Sequence, residues 1–197
     1  MVRILGVNGS TNPKSRTLVL VKRVLASAEE LGATTSLLEL GRHPLPVFSP
    51  HGDSGDDEAV RRMIGMVSEA DALVVGSPEY HGSMSGATKN FFDYLYREIA
   101  GKLFGLVAAA GGGNGTSCFT HVRAVVQHCH GWTLPYNVGA CGSDFDKEGA
   151  LVNARVDERL RRMGRDLVVY GPLLHDRFKA DLAQPADEPP GFAHWMA

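Results

Sequence analysis

The chain holds 197 residues, 44% of them hydrophobic, with a formal charge of −2 near neutral pH. That length suits one large domain that buries well over half of its unfolded surface without disulfide or metal staples. The basic residues are scattered, which argues against nucleic acid or an anionic membrane surface as partner.

Cysteines stand only at 118, 129 and 141, an odd and sparse set that points to a reducing compartment rather than a secreted disulfide framework. The apolar run at 2–7 is too short, and too soon broken by glycine, for a signal peptide. No stretch approaches the roughly 20 apolar residues of a membrane helix. The expectation is a soluble, cytoplasmic protein.

In chain order, residues 2–7 read as a buried first strand ending in a Gly/Asn/Ser turn. Leu18, Val21, Val24, Leu25 and Ala28 recur at helical spacing and predict a helix over 15–31, closed by Gly32. Residues 34–40 alternate as a second strand. A long loop at 41–57 holds Pro44, Pro46 and Pro50, and loops of that length are often functional.

A helix over 58–70 then leads into an almost wholly apolar third strand at 72–76. A helix over 85–99 and a fourth strand at 103–109 follow. GGGNG at 111–115 opens a helix over 117–130, and a fifth strand is expected at 133–138. The last long helix is predicted over 151–169. From Gly171 a Pro- and Asp-rich tail closes the chain, with Phe192 and Trp195 near its end. The expected division is one domain over 1–170 and a tail over 171–197.

Apolar strands alternating with helices imply a parallel sheet covered on both faces. Right-handed crossovers place every strand-to-helix loop at one edge of such a sheet, and ligands bind there. The loops to inspect are therefore 8–17, 77–85 and 110–117, all rich in Gly, Ser, Thr and Asn.

The first loop, GVNGSTNPKSRT, runs straight into a helix. A phosphate there would take backbone N–H groups at the helix start and hydroxyls from Ser10, Ser15 and Thr17, with charge from Arg16 or Lys14. The Walker form fails because Pro13 precedes Lys14–Ser15, and the spacing of Gly6 and Gly9 misses the dinucleotide fingerprint. A terminal monophosphate suits a hydroxyl-rich loop without those glycines. The same residues read equally well as a simple capping turn with Ser15 as N-cap.

The second loop reads SPEYHGSMSGATKNFFDYL. Pro78 fixes the backbone, Gly82 and Gly86 allow close approach of a planar ligand, and Tyr80 and His81 stand where a ring would be met. An ordinary polar loop residue is the stronger reading of His81.

Together the two loops resemble the NADPH-dependent FMN reductase family, most specifically in the segment P-E-Y-x-G-S-x-x-G-x-x-K-N, with the likeness running over about residues 2–170. The resemblance implies a flavodoxin-like three-layer sandwich with a five-stranded parallel sheet in the order 2-1-3-4-5. It puts Ser10, Ser15 and Thr17 on the phosphate of FMN. Asn12 stands where many members carry an arginine, and Arg16 is placed to compensate. Pro78, Glu79, Tyr80, His81, Gly82 and Ser83 would wrap the ring and ribityl chain, and Ala110, Gly111, Gly112 and Gly113 would line the other edge.

The resemblance also implies an NAD(P)H oxidoreductase that passes hydride from NADPH or NADH to FMN. A small acceptor, such as free flavin, a quinone, an azo compound or a metal oxyanion, then takes the electrons. No side chain is singled out as an acid or base. A homodimer or homotetramer is implied, with the apolar face of Phe91, Phe92, Tyr94 and Leu95 partly at its interface. The competing reading is a flavodoxin-type electron carrier, against which the near-neutral charge counts.

Cys118, His121, His128, Cys129 and His130 lack metal-ligand spacing, so no metal is expected, and Cys118 and Cys129 read as small buried hydrophobes. Met84 stands where a serine-hydrolase elbow needs serine.

Overall fold

The computed structural model describes residues 1–51, 57–111, 115–186 and 190–196. A parallel sheet forms the middle layer. Its strands β1 (Arg3–Asn8), β2 (Thr34–Glu39), β3 (Ala72–Tyr80) and β5 (Leu103–Ala109) lie in the order β2-β1-β3-β5. Beyond β5 the edge is made by two short strands, β6 (Trp132–Thr133) and β7 (Val138–Ala140), both pairing with β5 in parallel. A two-residue strand, β4 (Ser83–Met84), folds back antiparallel on the end of β3. Counting β6 and β7 as one broken strand, and setting β4 aside, this is the flavodoxin-like order expected from the sequence.

Period-two alternation in the strands feeds two cores. Leu5, Val7, Leu73, Val75, Phe104 and Leu106 meet helices α2 (Glu58–Glu69), α3 (Gly86–Asp93) and α4 (Thr116–His128). Ile4, Ala72, Val74, Leu103 and Val107 meet α1 (Arg16–Glu30) and α5 (Ala154–Leu182) on the other face. Arg23 of α1 forms a bidentate pair with Asp157 of α5, fixing the two helices side by side. Among the described residues no helix is long and apolar enough to cross a membrane.

Four expectations are corrected. The fifth strand is not continuous over 133–138. Pro135, which has no N–H for a ladder bond, falls inside it; Leu134 still donates to the Phe104 carbonyl, and residues 135–137 leave the ladder. Arg123 bridges the gap through the Thr133 hydroxyl, the Leu134 carbonyl and the Asn137 side chain. The third strand runs on past Gly76 to Tyr80 before turning back. The helix expected over 85–99 stops at Asp93, and a separate 3-10 turn at Arg97–Ile99 carries the fully buried Ile99 into the core.

The last helix does not end at Val169. It continues through Gly171 and Pro172 to Leu182, so the boundary expected at 170 falls inside it. A proline in a helix interior costs about 3 kcal/mol, and burial beyond it offsets that cost. Phe178 packs against Ala100, Ala193 and Phe192, and Phe192 meets Trp132 edge-on. Gly171 allows the close approach, since a Cβ there would lie 2.7 Å from that of Ala72.

The 41–51 segment is held by α3. Asn90 accepts the Phe48 N–H at 2.8 Å and donates to the Pro46 carbonyl at 2.8 Å, and the Tyr94 hydroxyl donates to the same carbonyl at 2.9 Å. Asn90→Ala is expected to cost about 1–2 kcal/mol and to speed protease cleavage within 44–51 severalfold, as limited proteolysis would show. Lys89 is engaged within its own helix by Asp93.

Candidate functional site

At the carboxyl edge of the sheet β1 ends in Asn8, whose buried amide organises the turn that follows. Its Oδ1 accepts the Ser10 N–H at 3.3 Å and the Ser15 hydroxyl at 3.4 Å, and its Nδ2 donates to the Ser10 carbonyl at 3.3 Å. Ser10 Oγ accepts the Asn12 N–H, and the Asn12 side chain accepts the Lys14 N–H at 2.9 Å. Ser15 is the N-cap of α1, taking the Leu18 N–H at 3.0 Å. The capping role of Ser15 is thus real, and the first-turn N–H groups of Arg16 and Thr17 remain at the open end of the helix.

Ser10 in the loop, Ser15 at the cap and Thr17 in the first turn of α1 are buried at 5%, 7% and 2% exposure. Asn12 is exposed on the loop surface. Arg16 turns away from the middle of the loop and lies over the Phe145 ring, 5.4 Å from its centre, beside the segment that follows β7. The loop after β2 closes over the turn from the other side. A Cβ on Gly41 would lie 2.9 Å from Thr11 Cα.

The second loop is tied to the first at Gly9. Gly9 donates its N–H to the Gly76 carbonyl at 2.7 Å, and its own carbonyl accepts the Ser85 hydroxyl at 2.7 Å. Ser85, the N-cap of α3, also accepts the Thr88 N–H and meets the Thr88 hydroxyl at 2.9 Å. Its N–H donates to Ser77 Oγ at 3.0 Å. The sequence reading placed Asn8, Gly9 and Ser85 inside the loops but gave neither them nor Thr88 a role. The pattern S-x-x-T before a helix signals a cap, while the bond from that cap to a glycine 76 positions away has no local signature.

Pro78 is buried and stands opposite Ala109 in the β3–β5 ladder. Tyr80 and Ser83 face each other across a two-residue turn, with Tyr80 half exposed. His81 and Gly82 make that turn with φ of 51° and 72°. Positive φ at both central positions is the sign of a type I′ hairpin, which glycine adopts freely and histidine tolerates. Glu79 points elsewhere, to α4, where its Oε2 accepts the Cys118 N–H at 3.2 Å.

In the third loop, Ala110 is buried and donates its N–H to the Ala140 carbonyl at 3.0 Å, while Gly111 is exposed. Gly112 and Gly113 lie outside the described residues. Cys118 is buried where the second and third loops meet. Burial pushes its thiol up to about 11, against the lowering effect of a hydrogen bond with Ser77. It stays protonated and unreactive at neutral pH. Cys129 is buried too, as expected of a small apolar residue.

A fourth loop, after β7, was also missed. Gly142–Asp144 forms a 3-10 turn with the Cys141 N–H on Asp144 at 2.7 Å, and its segment meets the first loop through Arg16 and Phe145. The rule that every strand-to-helix loop shares one edge covers this loop as well.

Comparison with known proteins gives the same picture. The chain is 32% identical over 161 residues to the NADH-dependent FMN reductase SfnE of Pseudomonas putida, covering 79% of this chain and 87% of that one. It is 36% identical over 115 residues to an NADPH azoreductase of a Bacillus strain. That match spans 58% of this chain and 62% of the azoreductase's length. In fold it is similar to FerB, a flavoenzyme NAD(P)H:(acceptor) oxidoreductase of Paracoccus denitrificans, with a TM-score of 0.73, 17% identity and coverage of 88% and 99%. The family described as NADPH-dependent FMN reductase matches residues 2–146. With buried serines around a helix N-terminus, and a proline-anchored hairpin beside them at the same sheet edge, the chain belongs to the NADPH-dependent FMN reductase family.

Proposed function

We propose that the protein is an FMN-dependent NAD(P)H oxidoreductase, with FMN held by the first two loops. The observation that carries this reading is their junction. Gly9 and Ser85 lock a hydroxyl-lined helix N-terminus against a rigid hairpin at the carboxyl edge of a parallel sheet.

The residues fit the cofactor. Three nearly buried hydroxyls and the open N–H groups of α1 match a monophosphate, and a helix N-terminus favours an anion. FMN bound there supplies the redox chemistry, accepting electrons from the nicotinamide and handing them to the acceptor. The chain's share is placement. Ser10, Ser15 and Thr17 would hold the phosphate with Asn12 beside them, and Arg16 would add charge from the side. Pro78 to Ser83 would present backbone and the Tyr80 ring to the flavin, with Ala110 to Gly113 at its other edge. Glu79 and Asn8 orient loops rather than reacting atoms.

The names of the relatives support free flavin or an azo compound as the acceptor class, and both NADPH and NADH as donors. The reading includes a cytoplasmic homodimer or homotetramer. Exposed Trp132, Tyr170 and Leu173 around an apolar hollow of about 530 Å³ support self-association, which light scattering would measure.

Purified protein mixed with FMN should acquire visible flavin absorbance that survives gel filtration and is bleached by NADPH or NADH alone. A colourless protein sinks the reading, and bound flavin that neither nucleotide bleaches turns it into an electron carrier. Ser15→Asp separates cap from ligand. Aspartate caps a helix as well as serine but cannot donate to Asn8 Oδ1, so the melting midpoint should fall only slightly. A carboxylate facing the phosphate should still weaken FMN binding about tenfold or more, read by titration of flavin fluorescence.

A further inference from the structure

The start of α4 is unusual in having no cap of its own. Gly115 precedes it with φ of 70° and offers no side chain, and the first turn, Thr116 to Cys118, carries no acidic residue. First-turn N–H groups of any helix lack intrahelical partners and are satisfied from outside. Here β3 reaches across to do so. Glu79 Oε2 accepts the Cys118 N–H at 3.2 Å. Two positions earlier on the same face of β3, Ser77 meets the thiol of the same cysteine. Ser77 also accepts the Ser85 N–H, and Ser85 grips Gly9. One chain of contacts thus runs from the first turn of α4 through β3 to the phosphate-type loop.

We infer that Glu79 is a positioning residue, a cap supplied by β3 that sets the start of α4 against the hairpin. On the FMN reading above, the ring lies beside the hairpin, and the start of α4 stands next to that hairpin. Glu79 therefore sets the spacing between the first turn of α4 and the hairpin without touching the ring, unlike the direct contact that the family resemblance implied. Its negative charge faces the positive end of the α4 dipole and is offset there rather than presented to a ligand.

Two variants test this, Glu79→Gln, which keeps an oxygen acceptor, and Glu79→Ala, which removes it. The first readout uses ligand-free protein. Cys118 has no intrahelical acceptor, so hydrogen exchange of its amide by NMR reports the Glu79 bond directly. Glu79→Ala should speed that exchange about tenfold, while Glu79→Gln stays within about threefold of the parent. The second readout is the Kd for FMN, which should follow the same order. Loss of binding in both variants with unchanged Cys118 exchange would mean that Glu79 contacts the ligand directly, and it overturns the inference. So would unchanged exchange in Glu79→Ala alone. If the parent protein fails to bind FMN, the proposed cofactor is wrong, and the exchange arm still decides whether Glu79 is the cap.

Discussion

Replacing Gly9 with alanine is expected to weaken FMN binding about 10- to 100-fold and to destabilise the fold by about 2–3 kcal/mol. A Cβ on Gly9 would lie 1.8 Å from Thr88 Oγ1 and 3.0 Å from the Gly76 carbonyl. The first is an impossible contact, and the second closes the direction in which the loop would retreat. Relief requires the two loops to part, which breaks the Ser85–Gly9 bond and opens the junction of the site. Adding Thr88→Ala removes the hydroxyl that clashes. The double variant should therefore recover more stability than the sum of the single effects predicts, a coupling of at least about 1 kcal/mol in a urea-melt cycle. Additive single effects would show that the clash is relieved some other way.

The second large effect is a pH dependence centred on Lys102. This lysine stands at 3% exposure just before β5 and donates to the Val67 and Ser68 carbonyls at the end of α2, at 2.5 and 3.0 Å. Burial lowers its pKa from 10.5 to about 8, partly opposed by the charge of Asp71. A base whose folded pKa is depressed keeps its proton longer in the unfolded chain. Between pH 8 and 10.5 the unfolded state therefore binds more protons, and stability from this group rises with pH. The gain is about 3 kcal/mol across that window.

Cys118 acts in the opposite sense. Its thiol is raised from 9.0 to about 11, so the unfolded chain loses the proton first and stability falls between those values. Burial also raises the hydroxyl of Tyr136, which donates to Asp166, and this adds a further loss at high pH. The Lys102 contribution is therefore best isolated by difference. Between pH 7 and pH 10.5, wild type should gain about 3 kcal/mol relative to Lys102→Met, measured by urea melts at each pH. A flat difference would mean that Lys102 is already neutral at pH 7 or is solvated on the timescale of titration.

The expectations that held were those with a local cause. The apolar runs of β1, β3 and β5 are each long enough to be buried on both faces, and α1 carries both its period and its cap in one stretch of sequence. That the three loops lie together was legible because strand-to-helix connections in a parallel sheet must share an edge. What escaped depends on partners far away in the chain. Gly171–Pro172 reads as a stop, and only the seat of Phe178 against Ala100 and Phe192 carries the helix past it. Pro135 was visible, but not that Arg123 would splice the broken strand around it. Glu79 belongs to the motif that carries the family likeness, yet its partner is a backbone N–H 39 positions on. Arg16 was read as a charge for the phosphate, and its stacking on Phe145 became visible only once the loop after β7 was placed.

The hairpin at His81–Gly82 has a consequence for how the site works. Its turn is closed by ladder pairs on both sides, Tyr80 with Ser83 and Glu79 with Met84. The conformational entropy of ordering that tip is thus lost when the chain folds, not when a ligand arrives. A molecule meeting Tyr80 encounters backbone already in its final shape, so less of its contact energy is consumed in immobilising the receptor.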